Sequence, residues 1–275
     1  MMMFFPTTLL DSYSVDMGAG KSVLVMVSCS MAMMGLQLWH SFAISRAINY
    51  PTVDMDVKGQ ACFAEMLGWI YFILDDTYIL FIGKTWPEVI PTDGYYFNLF
   101  LWTSCAFLSY TGWKNCGGEM PTGVSMPEGR PKWGLIVAMA NNVPYVIGLM
   151  AFTGPFMEMY VPGLIASMPN QSGALVLYFM ENVGKLMMLN LVRSAMIINV
   201  ANEGDAYRLQ RVWGYYQILY MGMLSIFGIV NDAMGWANPM KIAGFVQTFA
   251  TTFFNVSQFG SINFKLAANP KPKKA

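Results

Sequence analysis

The chain has 275 residues, of which 55% are hydrophobic, 15% aromatic and 12% charged, and its mean hydropathy is +0.43. Soluble globular chains carry about 25% charged residues, so the shortfall excludes ordinary soluble domains along with disordered, collagen-like, coiled-coil and disulfide-rich classes. Sixteen basic residues balance 16 acidic ones, which leaves no electrostatic footprint for nucleic acid.

A helix crossing a membrane needs about 20 mostly apolar residues. Seven windows approach or reach that length: about Ser22–Ser45, Ala61–Gly83, Tyr96–Trp113, Gly134–Phe152, Gly173–Val200, Val212–Ala233 and Met240–Gln258. Their length and lack of strict alternation predict helices, not barrel strands. The predicted fold is all-α: a polytopic integral membrane protein with seven transmembrane helices in one bundle, N-terminus outside and C-terminus inside. Residues 1–21 are the extracytoplasmic N-terminal segment, 22–260 the seven-helix domain and 261–275 a cytoplasmic basic tail. The first apolar run is too long for the h-region of a signal peptide. Residues 114–133 are rich in Gly and Pro and read as an irregular inner connector. Residues 155–172, broken by Pro155, Pro162 and Pro169, are expected to lie against the outer interface. The short link at Trp236-Ala237-Asn238-Pro239 predicts a hairpin of the last two spans.

The basic residues test this orientation. With the N-terminus outside, eleven fall in inner segments (Arg46, Lys58, Lys114, Arg130, Lys132, Arg208, Arg211, Lys265, Lys271, Lys273, Lys274) and three in outer ones (Lys21, Lys84, Lys241). Cytoplasmic loops are enriched in Lys and Arg, so the bias favours this topology. It also places the sequon Asn170-Gln171-Ser172 outside.

Several patterns that look like chemistry fail on inspection. Gly20-Lys21-Ser22 resembles the end of a phosphate-binding loop, but Val15 stands where its first glycine is required. His40 is the one histidine, which excludes multi-histidine metal and haem sites from this chain alone. The middle of the seventh window, from Phe245 to Val256, has no lysine, and the next one is Lys265 beyond its end, which speaks against retinal held as a Schiff base. Cys29, Cys62, Cys105 and Cys116 form no CxxC pair and read as small buried residues. No catalytic residue, cofactor or metal site is predicted.

The informative residues are the polar ones at membrane depth, where an ionisable group costs about 2.5–3.5 kcal/mol and marks a functional candidate. The second window carries Glu65, Asp75 and Asp76, and the fifth carries Glu181, Lys185 and Arg193. Glu65 and Asp76, eleven positions apart, fall within about 20° on a helix. On the fifth window Tyr178, Asn182, Lys185, Leu189 and Arg193 share one arc. The two spans run antiparallel, so depth predicts two rungs, Asp76 with Lys185 and Glu65 with Arg193. Thr248, Thr251, Thr252 and Asn255 on the seventh window form a neutral stripe, with Asn141 and Asn142 before Pro144 on the fourth and Asn231 and Asp232 on the sixth. Together they are expected to line a hydrated cavity. An offset of 145 residues matches Tyr71 with Tyr216, Ile73 with Ile218, Leu74 with Leu219 and Phe100 with Phe245, the pattern of a three-plus-one-plus-three parallel repeat. Low-diversity apolar segments also match by chance.

The expected function is a transporter or channel for a small solute or ion, with Glu65, Asp75, Asp76, Glu181, Lys185, Arg193 and Asn255 along its path. Its partners are the lipid bilayer and that solute, with a homo-oligomer left open and no nucleic acid. The alternatives are a heptahelical receptor or sensor, a pigment-binding membrane subunit, and an intramembrane lipid-modifying enzyme using Asp75 and Asp76 as acid–base groups.

Overall fold

The computed structural model describes residues 21–83, 92–121, 130–160, 170–224 and 239–258. Within these residues the chain is all α-helical, with eight α-helices and no strand. The helices are α1 (Lys21–Ile48), α2 (Met55–Thr77, continuing as a π-helical turn over Tyr78–Gly83), α3 (Thr92–Asn115), α4 (Arg130–Ala151), α5 (Thr153–Tyr160), α6 (Asn170–Val200), α7 (Glu203–Leu224) and α8 (Pro239–Gln258). Every apolar window coincides with one of them; residues 225–233 of the sixth, with Asn231 and Asp232, lie outside the described residues.

Three helical stretches are long and apolar enough to cross a membrane: Met55–Gly83, Trp133–Ala151 and Gly173–Val200. Among the described residues that is fewer than the seven windows suggest. Composition sets α3 and α7 apart from these three. Much of the apolar surface of α3 belongs to Tyr and Trp, and Asp93 and Asn98 interrupt it. Helix α7 begins with Glu203, Asp205, Arg208 and Arg211, and the described side chains of α8 include a shorter apolar stretch, Ile242–Phe253.

Helix α6 is the central post, with α1, α2 and α4 packed on it. Helix α7 packs against α1, α4 and α8, and α8 also rests on α4. Helix α3 packs mainly on α2. Small residues permit the closest approaches. A Cβ on Gly184 would lie 2.8 Å from the Cβ of Leu149 on α4, and one on Gly68 would lie 2.2 Å from the Cδ1 of Leu189 on α6. The 145-residue offset carries α2 onto α7 and α3 onto α8, and α1 onto a segment overlapping α6. Partners exchange accordingly: α2 packs on α3 and α6, while α7 packs on α8 and α1.

Helix α7 starts with a reciprocal cap. The Asn202 side chain accepts a hydrogen bond from the Asp205 backbone N–H at 2.9 Å and donates to the Asp205 carboxylate at 2.9 Å. Asp205 also pairs with Arg208 at 3.0 Å, and the Arg208 guanidinium sits 4.7 Å from the centre of the Tyr50 ring. The α1–α2 connection therefore meets the α6–α7 junction at one end of the bundle.

A largely apolar interior also encloses full charges, and large apolar side chains lie on the exterior. Lys185 and Arg193 are each 2% exposed, whereas Phe100 and Phe253 are 70% exposed. Soluble proteins almost never bury lysine or arginine this fully, and they rarely expose apolar surface in continuous patches. This arrangement and the three long apolar helices are compatible with membrane insertion.

Candidate functional site

The charged residues of α2 and α6 meet along the face these helices share. Towards the α6–α7 end, Arg193 is held from three helices. Its Nη1 donates to the Glu65 carboxylate on α2 and, at 2.8 Å, to Ser45 Oγ on α1. Its Nη2 donates to the Ser41 carbonyl at 2.8 Å and to Asn190 Oδ1 at 3.1 Å. This is the Glu65–Arg193 rung that depth predicts. Charge is balanced there, one cation to one carboxylate.

The second rung lies two turns away along α6. Lys185 Nζ pairs with Asp75 on α2 and, at 2.9 Å, with Glu181 one turn earlier on its own helix. This corrects the expected Asp76–Lys185 pairing. Successive residues on a helix point about 100° apart, so Asp75 and Asp76 face different neighbours. Asp75 turns to α6, while Asp76, 5% exposed, accepts a hydrogen bond from Trp102 Nε1 on α3 at 2.9 Å. The extensive packing of α3 on α2 captures Asp76, and the long stem of Lys185 reaches the carboxylate left over. Trp102 in turn stacks on Trp69 with ring centres 5.3 Å apart. The buried Tyr95 hydroxyl, with no hydrogen-bond partner among the described residues, completes the α3 wall, its ring 6.0 Å from that of Tyr178.

This second cluster thus gathers Asp75, Asp76 and Glu181 around one lysine, an excess of negative charge if all ionise. Buried charge is costly unless paired and hydrogen-bonded, so the cluster is suited to attracting a positive charge or a proton. Among the described residues no group of His, Cys, Asp and Glu is placed to hold a metal ion. Asn255 lies on α8, but its side chain is outside the description.

Sequence reasoning passes over the α1 contribution. Gln37, Ser41 and Ser45 recur every four residues and so form one polar stripe on α1. Ser41 Oγ donates to Asn190 Oδ1 at 2.6 Å, and Gln37 Nε2 donates to the Tyr216 hydroxyl at 2.6 Å. Between them His40 is packed flat on Tyr216, ring centres 4.1 Å apart, and edge-on to Trp213 at 4.5 Å. The period of four makes this stripe legible in the sequence, although none of Gln37, Ser41 and Ser45 is ionisable. Trp102 and Tyr95 gave no such signal, since aromatic residues near span ends also serve as interfacial anchors.

A separate small cavity of about 10 Å³ lies among α4, α6, α7 and α8, lined in part by Asn141, Asn142, Tyr216 and Thr248. Of the residues expected to line a hydrated cavity, Asn141, Asn142 and Thr248 line this one, whereas the Thr251 and Thr252 hydroxyls donate to the Gln247 and Thr248 carbonyls of their own helix at 2.7 Å. Comparison with protein families, curated proteins and solved structures finds no match.

Proposed function

We propose that the chain is a seven-span membrane protein that carries a small solute or ion along the polar face between α2 and α6. The observation that supports this reading is the pair of buried cations, Lys185 and Arg193, set two turns apart on α6 and each met by a carboxylate from α2. Helix packing alone asks for much less: interhelical hydrogen bonds contribute only about 0.6 kcal/mol each on average, while each ionisable group costs several times that to insert. The residues assigned to the path are Glu65, Asp75, Asp76, Glu181, Lys185 and Arg193, with Asn255 on α8 as a further candidate.

Two further observations favour the topology. The α1–α2 connection and the α6–α7 junction meet at one end through Tyr50 and Arg208, as both must if each lies on the inner side. The exchanged packing of α1–α3 and α6–α8 around the additional helix α4 suits a parallel-repeat transporter.

The test is flux. Purified protein reconstituted in liposomes is expected to pass protons, small inorganic ions or small polar solutes from a defined panel. Lys185→Met, which keeps the stem and removes the charge, is expected to abolish that flux while the protein remains folded. No flux for any member of the panel, or flux indifferent to Lys185→Met and Asp76→Asn, defeats the reading.

A further inference from the structure

The cavity among α4, α6, α7 and α8 differs from the α2–α6 face in one decisive respect: among the described residues, none that lines it is charged. An ion there would have no counter-charge and would bear the full cost of leaving water. The lining is nevertheless strongly polar, and part of its hydrogen-bonding capacity is unused. Thr248 on α8 is 1% exposed and, among the described residues, its Oγ1 has no partner. Asn141 on α4 has a buried Oδ1 that likewise lacks one. The Tyr216 hydroxyl on α7 accepts from Gln37 at 2.6 Å, which leaves its own proton to donate.

Buried polar atoms in native proteins almost always find partners, and ordered water supplies those that the chain does not. A water needs roughly 10–15 Å³ and two to four polar partners. The cavity measures about 10 Å³ and offers an acceptor on α4, a donor on α7 and a hydroxyl of either kind on α8. We propose that this chamber binds one uncharged hydrogen-bonding molecule, a single water, held by Asn141, Tyr216 and Thr248.

Such a water has a second consequence through Tyr216. From its hydroxyl a chain of hydrogen bonds runs to the Gln37 side chain, and from the Gln37 carbonyl to Asn190 Nδ2 at 3.4 Å. Asn190 Oδ1 then accepts from Arg193, which pairs with Glu65. The water therefore ties α4 and α8, which make none of these bonds themselves, to the charged face on α2 and α6. The interior is divided into a charged compartment and an uncharged one, joined by Tyr216, Gln37 and Asn190. This holds whether or not a solute crosses between α2 and α6.

Thr248→Val keeps the shape of the side chain and removes its hydroxyl, and the sign of its effect distinguishes a hydrated chamber from a dry one. With water bound, the variant loses a hydrogen bond, and the melting temperature of the purified protein in detergent is expected to fall by on the order of 2–4 °C. Thr248→Ser is expected to restore most of it. In a dry chamber the threonine hydroxyl is an unmet cost, and its removal raises the melting temperature; a rise, or no change, overturns the proposal. Proton NMR of the wild-type protein gives a measurement that does not depend on the variants folding. Magnetisation transfer from a long-lived water to the Asn141 side-chain amide is expected, and its absence also overturns the proposal.

Discussion

Truncating Glu65 to alanine strands a buried cation. Arg193 is 2% exposed, and among the described residues only Glu65 of its four hydrogen-bond acceptors carries charge; Ser45, the Ser41 carbonyl and Asn190 are neutral, and Nε has no partner there. Removing one member of a buried ion pair costs about 3–5 kcal/mol, because the survivor keeps its desolvation penalty without its compensation. The Glu65 side chain is 22% exposed, so solvent reaches the gap and the lower end, about 3 kcal/mol, is expected. At roughly 2–4 °C per kcal/mol for a chain of this size, the melting temperature in detergent falls by on the order of 6–12 °C. Replacing the pair by apolar residues of similar volume, Glu65→Leu with Arg193→Met, removes both charges and is expected to recover most of that loss, since buried ion pairs add little over well-packed hydrophobic substitutes. Thermal unfolding followed by tryptophan fluorescence reads the fold, and liposome flux from the same preparations reads the function. A Glu65→Ala variant that melts with the wild type refutes the argument that Glu65 compensates Arg193. So does a double variant less stable than the single one.

Two further outcomes follow from packing and from titration. Gly184→Ala places a methyl 2.8 Å from Leu149 Cβ and 3.3 Å from the Leu149 carbonyl carbon, atoms that cannot swing aside, so a loss of about 1–3 kcal/mol is expected; Gly222→Ala, with nothing within 4 Å among the described residues, is expected to hold or raise the melting temperature. At the α6–α7 junction burial pushes the Asp205 carboxyl above its ordinary value of 3.8, against the pull of Arg208 and the Asn202 hydrogen bond. A carboxyl raised in the folded state contributes stability that is complete below its unfolded value and is lost as pH rises through its folded one. Melting temperature against pH is therefore expected to decline less for Asp205→Asn than for the wild type just above pH 3.8, and parallel curves would show that Asp205 titrates alike in both states.

How much of this was legible before the structure depends on the kind of signal. Helix positions follow from the length of apolar runs, and these runs are insensitive to which neighbour each face meets. The Glu65–Arg193 rung follows from depth along two antiparallel helices, a one-dimensional quantity that sequence supplies. The other rung required azimuth as well. Grouping Asp76 with Glu65 on one stripe assumes that the stripe faces α6, whereas α3 packs closely enough on α2 to claim Asp76 through Trp102. Lys185 then settles on Asp75 because its long stem tolerates an error in azimuth that a hydrogen bond from an indole does not. The membrane-depth argument also singles out charge and so misses neutral partners. Ser41, Ser45 and Asn190 supply three of the four acceptors of Arg193, although no single one of them would attract notice.

The two rungs differ in a way that bears on their roles. The Arg193 rung is neutral as a pair and cross-linked to α1, so its desolvation is largely offset within the fold. The Lys185 rung leaves Asp76 and part of the Asp75–Glu181 charge uncompensated by any second cation within ion-pair distance among the described residues. Structural needs alone would select against that excess, because apolar residues of similar volume satisfy packing at lower cost. Where a fold keeps a costly arrangement, a functional demand is the expected reason. Removing Glu65 alone from the Arg193 rung should therefore damage stability first and flux as a consequence, whereas Asp76→Asn, which retains an acceptor for Trp102, should leave the melting temperature unchanged or higher and remove flux.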